Sequence, residues 1–170
     1  MERLILMRHG EAERPAPGLE DFERALDAEG RVESRLMGKV LAQASLAPDL
    51  ALVSSARRTM ETWRAVAEAF PQAIDVQEDR SLYGASAGRL AAAASLVAPR
   101  GRTLMMVGHN PGIHHYAVHL ARQAGASDEA IKPLYDRFPT GSVAVFAVGD
   151  DGRPTFERLL LVKDHKDKIR

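Results

Sequence analysis

A chain of 170 residues, 45 % of them hydrophobic, can bury a core without disulfides or a structural metal, and one domain over 1–170 is expected. Its 23 basic and 23 acidic residues cancel, which argues against electrostatic capture of nucleic acid and implies no partner by charge. Cysteine is absent, which removes disulfides, thiolate metal sites and a cysteine nucleophile from consideration.

The first apolar run, Leu4 to Met7, is too short for a signal-peptide core or a membrane span, so a cytoplasmic protein without membrane contact is expected. Its apolar character instead suits a strand buried on both faces that delivers Arg8, His9 and Gly10 at its C-terminal end. A polar loop rich in Pro and Gly follows, Glu13 to Asp21. Val32, Leu36, Val40 and Leu41 then recur at helical spacing, predicting a helix from Asp27 to Gln43. Leu50 to Val53 reads as a second buried strand ending in Ser54-Ser55, with a helix over 56–70 behind it. A brief strand is expected at Ile74 to Val76, an alanine-rich helix at Gly88 to Val97, and a third buried strand at Thr103 to Val107. The last of these ends in Gly108-His109-Asn110-Pro111-Gly112, where a helix is expected to begin near Pro111. Two β-rich runs, Ser142 to Val148 and Phe156 to Val162, flank Gly149-Asp150-Asp151-Gly152 and predict a closing hairpin. The basic tail from Lys163 to Arg170 reads as solvated. No repeat, linker or domain boundary is visible.

Strands alternating with helices, then a hairpin, predict an α/β three-layer sandwich: a mixed, mostly parallel sheet with helices on both faces. Ligands of such folds gather at the carboxyl ends of the parallel strands. Three of those ends carry Arg8-His9-Gly10, Ser54 with Arg57 and Arg58 close behind, and Gly108-His109-Asn110. Guanidinium forks match phosphate oxygens, so this grouping predicts a pocket for a dianionic phosphoryl group. A neutral imidazole inside it is a possible nucleophile, and Gly10 would let the phosphoryl group approach the backbone. A lone histidine after a strand is more often structural, and Arg-His-Gly recurs by chance; the coincidence of three strand ends carries the case.

Leu6-Met7-Arg8-His9-Gly10-Glu11, Val53-Ser54-Ser55-Ala56-Arg57-Arg58-Thr59-Met60-Glu61-Thr62 and Val107-Gly108-His109-Asn110-Pro111 together resemble the histidine phosphatase superfamily. The short length and the segment Glu33-Ser34-Arg35-Leu36-Met37 resemble its bacterial phosphohistidine phosphatase branch. The resemblance implies a phosphoglycerate mutase-like fold and a phosphatase that phosphorylates His9. It implies that Arg8, Arg58 and His109 hold the phosphoryl oxygens, with no cofactor or metal. The family pattern Ser-Pro-x-x-Arg ending in x-x-x-Thr selects Arg58 over Arg57, although Ser55 stands where the proline is usual. Arg57 is expected to face solvent.

Many relatives place a proton-donating carboxylate on the loop after the third strand, where this chain has Ser81. Glu78 and Asp79 are near enough to substitute, or to be merely exposed. Glu11 either orients the site or sits at the surface. His115 and His119 have metal-pair spacing, but no glutamate follows the first of them and no third ligand is apparent, so a structural or surface role is expected. His114 and His165 carry no recognisable context, and Trp63, Tyr83 and Tyr116 are too sparse for base stacking. The expected activity is hydrolysis of phosphohistidine in proteins through a phosphohistidine intermediate. The expected partner is thus a phosphorylated protein, or else a small phosphorylated substrate. The alternatives are a phosphate monoester phosphatase and a non-catalytic phosphate-binding module; a pure binder, however, needs no nucleophile.

Overall fold

Residues 1–169 are described by a computed structural model. The opening apolar run forms strand β1, Arg3–Arg8, and the later runs form β2, Leu50–Ser54, and β4, Thr103–Gly108. Together with β3, Asp75–Asp79, and the hairpin strands β5, Val143–Val148, and β6, Pro154–Leu160, they make one sheet in the order β3-β2-β4-β1-β5-β6. Strands β1 to β4 are parallel, and β5 and β6 run antiparallel to their neighbours. The mixed, mostly parallel sheet is as expected.

Because side chains alternate across a strand, each apolar run feeds two cores. Leu4, Leu6, Leu52 and Met106 face one side, where helices α3, Ala87–Val97, α4, Gly112–Gln123, and α5, Asp128–Asp136, cover them with Leu90, Ile113, Leu120 and Leu134. Ile5, Met7, Val53 and Val107 face the other. Helices α1, Ala28–Gln43, and α2, Arg57–Ala67, cover that side with Met37, Leu41, Trp63 and Val66. Burying each such side chain contributes about 1.5–3 kcal/mol, so the two layers fix the sheet's register from both faces.

Some boundaries differ from the expectation. Val32 is 45 % exposed near the start of α1, whose buried stripe runs instead through Glu33, Leu36, Met37 and Val40. Strand β3 is displaced toward Asp79 because its pairing with β2 matches Val53 to Glu78 and Ser54 to Asp79, polar residues tolerated at an edge. Helix α5 was not anticipated. Pro133 interrupts its pattern and only Ile131 and Leu134 are buried, yet Ser127 accepts a hydrogen bond from the Ala130 amide and starts the helix. The tail is less free than expected: Lys166 reaches α1, its Nζ 2.7 Å from the nearly buried Glu33 carboxylate and 3.0 Å from Glu29. Arg170, its last residue, lies outside the described residues. No helix among the described residues is long and apolar enough to cross a membrane.

Candidate active site

Strand register decides which residues meet. Arg8 pairs with Gly108 across β1 and β4, so His9 and His109 leave the sheet side by side, and the His9 amide donates to the Gly108 carbonyl at 3.1 Å. Their rings lie 5.2 Å apart, each residue only 8 % exposed. Arg58, 6 % exposed on the first turn of α2, sends its Nε to His9 Nε2 at 3.3 Å. Arg57, its neighbour, points outward and pairs with Glu61. Arg8 is half-buried and donates through Nη1 to the Phe138 carbonyl at 3.1 Å, an oxygen that also accepts from Asn110 Nδ2. Arg8, His9, Arg58 and His109 are therefore brought to one side of the sheet, at the C-terminal ends of β1, β2 and β4.

His9 Nδ1 lies 2.7 Å from the Gly10 carbonyl, an acceptor only, so Nδ1 carries the proton and Nε2 keeps its lone pair. Burial is the main reason that the His9 pKa falls from 6.5 to about 3, and the charges of Arg58 and Arg8 and the His109 ring push the same way. Burial, with Arg58 next, lowers His109 to about 4. Both rings are neutral near pH 7. Ser54 Oγ lies 2.8 Å from His109 Nε2. A hydroxyl donating there leaves the proton on His109 Nδ1, a buried atom without a protein partner, as is Arg8 Nε. Two unsatisfied donors beside a nucleophilic nitrogen suit an oxyanion.

Packing is by itself enough to require a glycine at position 10. A Cβ there would lie 2.7 Å from Ser34 Oγ and 2.9 Å from the Gly30 carbonyl, so the missing side chain admits α1. Glu78 and Asp79, weighed above as acids or as merely exposed, end β3. Asp79 Oδ1 accepts from the Ser81 amide at 2.7 Å, Glu78 is exposed, and Asp79 and Ser81 face a groove along α3 with Leu52, Arg89 and Leu96. Glu11 is exposed and accepts from the Thr140 hydroxyl, near enough to Arg8 to act on its charge. His115 and His119 line a separate cleft of about 460 Å³ with His114, Arg122 and Tyr135; no group of three metal-ligating side chains occurs among the described residues.

Three participants escaped the sequence reading. Ser54 was visible at the strand end but had no assigned role. Asp21 comes from the loop read only as polar: Arg58 donates to its carbonyl at 2.7 Å and to its Oδ2 at 3.0 Å. Tyr83 donates its hydroxyl to Asp21 Oδ2 at 2.6 Å and sets its ring edge-on to His109, centroids 5.3 Å apart. No local sequence signal marks either residue, because their meeting depends on two loops closing over α2.

The sequence model of the histidine phosphatase superfamily (branch 1) matches residues 4–95. The chain belongs to that superfamily. A protein of Mycobacterium tuberculosis without a characterised function is 30 % identical over 142 residues, 84 % of this chain and 87 % of the relative. The structure of a candidate phosphohistidine phosphatase SixA from Agrobacterium tumefaciens is 28 % identical, covers 94 % of this chain and 98 % of its own, and superposes with a TM-score of 0.82. A protein histidine phosphatase SixA in complex with tungstate shares the fold with a TM-score of 0.78 at 21 % identity, covering 95 % of this chain and 98 % of its own. The architecture is thus phosphoglycerate mutase-like, in the short SixA-like branch of the histidine phosphatases, and the chain is a phosphatase of this superfamily.

Proposed function

We propose that this histidine phosphatase hydrolyses phosphohistidine in proteins, with His9 as the group that carries the phosphoryl. The observation that supports this most is the tautomer of His9: a neutral ring whose Nδ1 proton is held by the Gly10 carbonyl and whose Nε2 faces Arg58. Nε2 attacks phosphorus in line while Arg8, Arg58 and His109 Nδ1 take the charge on the equatorial oxygens, as a metal does elsewhere. Water then displaces His9, which leaves as neutral imidazole because Nδ1 kept its proton throughout. The likeness to the Agrobacterium protein adds weight, and the reading includes a cytoplasmic setting and independence of metals.

Leaving-group chemistry favours phosphohistidine over esters. An alkoxide needs a positioned proton donor worth about 10²- to 10⁴-fold. The residues at the end of β3 and just after it supply none, since Asp79 caps a turn and Ser81 faces α3. An imidazole protonated on its other nitrogen departs without one. On one wild-type preparation, kcat/KM should rank phosphohistidine first, aryl esters of acidic phenols second and alkyl monoesters last, unchanged by EDTA. His9→Ala should lose at least three orders of magnitude on all three while remaining folded. Alkyl esters that equal phosphohistidine would overturn the substrate assignment; a folded His9→Ala variant with near-native turnover would overturn the nucleophile.

A further inference from the structure

In transfer from phosphohistidine to His9 the nucleophile and the leaving group are the same ring, so each side of the reaction sets the same requirement. The ring that bears phosphorus on one nitrogen must keep a proton on the other. On the enzyme's side that proton is held by the Gly10 carbonyl, 2.7 Å from His9 Nδ1. The substrate ring needs an acceptor of its own, one ring's width beyond the phosphoryl pocket.

Asp21 stands there. The Arg58 guanidinium spans the distance: its Nε is 3.3 Å from His9 Nε2, and its outer nitrogens hold the Asp21 carbonyl at 2.7 Å and Oδ2 at 3.0 Å. The Tyr83 hydroxyl donates to Oδ2 at 2.6 Å, and Arg24 Nη1 holds Oδ1 at 2.7 Å. The carboxylate is held from three sides, yet its side chain is 49 % exposed. Hydrogen bonds from Tyr83 and Arg24 hold the carboxyl well below the usual carboxylate range, so it has no proton to give. Such a group cannot serve an ester's departing alkoxide; it can accept from an imidazole N–H.

We propose that Asp21 is the residue that selects an imidazole leaving group, its carboxylate accepting the N–H of the substrate ring's distal nitrogen while phosphorus moves to His9. This rests on the phosphohistidine reading above. The His9 Nε2 lone pair forms the new P–N bond as the substrate P–N bond breaks, and the bonding pair returns to the departing ring nitrogen. The ring leaves neutral, its distal proton still on Asp21's side, and no proton donor is required. Water then forms the P–O bond, both of its protons leave with inorganic phosphate, and the pair of the broken P–N bond returns to His9 Nε2.

The test compares wild type with Asp21→Asn, which keeps the shape and removes the charge, on phosphohistidine and on 4-nitrophenyl phosphate between pH 5 and 9. A carboxylate partner raises the pKa of the substrate ring, so wild type keeps its activity to higher pH. The variant should lose about 10- to 100-fold in kcat/KM on phosphohistidine relative to the aryl ester, the range of a lost hydrogen bond to a charged group. Its alkaline limb on phosphohistidine should move to lower pH. The aryl ester rate also reports that Arg58 and the fold are intact, and Tyr83→Phe, which leaves the charge in place, should preserve the substrate ratio. An equal decline on both substrates would mean that Asp21 only positions Arg58, and would overturn this inference while leaving the function standing. No change on either substrate, or loss of the ratio in Tyr83→Phe as large as in Asp21→Asn, would overturn it too. A wild type inactive on phosphohistidine would overturn the function and this inference together.

Discussion

His9 combines two demands that conflict in water: its ring must be neutral at physiological pH and must present one particular nitrogen. Burial meets the first, lowering its pKa to about 3, and the Gly10 carbonyl meets the second. Both depend on the backbone at Gly10, which lies against α1 so closely that a Cβ would meet Ser34 Oγ at 2.7 Å and the Gly30 carbonyl at 2.9 Å. The sidechain-free residue next to His9 is therefore a packing requirement, and on the proposed mechanism it has a catalytic consequence. Gly10→Ala should destabilise by about 1–3 kcal/mol, the usual cost of overpacking, and lower kcat more than it raises KM as the carbonyl shifts. Removing the nearest clash with Ser34→Ala in the same chain should recover part of the stability but not all, since the Gly30 carbonyl remains. Chemical denaturation of the single and double variants measures this, and a Gly10→Ala protein as stable as wild type would refute the packing account.

At the scale of elements, α2 carries more than Arg58. Thr62, one turn further along, accepts the Gly10 amide at 2.9 Å and donates to the Arg58 carbonyl at 2.7 Å, so a single hydroxyl ties the end of β1 to the helix that presents the arginine. Thr59 does the same for β2, donating to the Ser54 and Ala56 carbonyls, both at 2.7 Å. Thr62→Val keeps the shape and strands a buried amide, which costs about 1–3 kcal/mol. The expected outcome is that loss of stability together with a lower kcat on every substrate, read by urea unfolding and steady-state kinetics; an unchanged kcat would show that the tie does not position His9. The spacing of Arg58 and Thr62 was legible in the sequence through the family pattern Arg-x-x-x-Thr, which the structure sets at i and i+4 on the buried face of one helix. Helix α5 was not, because Pro133 breaks the only periodicity it has, and its existence depends on Ile131 and Leu134 finding the core beneath α4. Which of the two roles weighed for Glu78 and Asp79 holds was not legible either, because pairing at the sheet edge sets Asp79, and the turn it caps sets Ser81, along α3.

The whole molecule is a device for bringing strand ends from distant parts of the chain to one place, and this much a reader of the sequence can follow, since buried strands ending in polar residues announce themselves. Asp21 and Tyr83 could not be read that way, because they lie 62 residues apart and meet only when both loops close over Arg58. The closure leaves two imidazoles buried among Arg8 and Arg58, with the Asp21 carboxylate paired to Arg58, and that arrangement has a cost in acid. In the unfolded chain each histidine takes a proton near pH 6.5; in the folded protein His9 does so only near about 3 and His109 near about 4. Both shifts are downward, so between those values the unfolded state binds more protons and acid favours it. The stability these rings lend is complete above pH 6.5 and declines as pH falls toward 4. Each contributes a slope of about 1.4 kcal/mol per pH unit, so unfolding free energy should drop by about 2–4 kcal/mol between pH 7.5 and 5. Urea titrations across that range in wild type and in the His9→Asn/His109→Asn double variant separate these rings from the other titrating groups. The double variant should hold its stability at pH 5 better than wild type does, relative to each protein's value at pH 7.5. Parallel pH profiles for the two would mean that the imidazoles are not held neutral by the fold, and that the proposed nucleophile is ready near pH 7 for some other reason than burial.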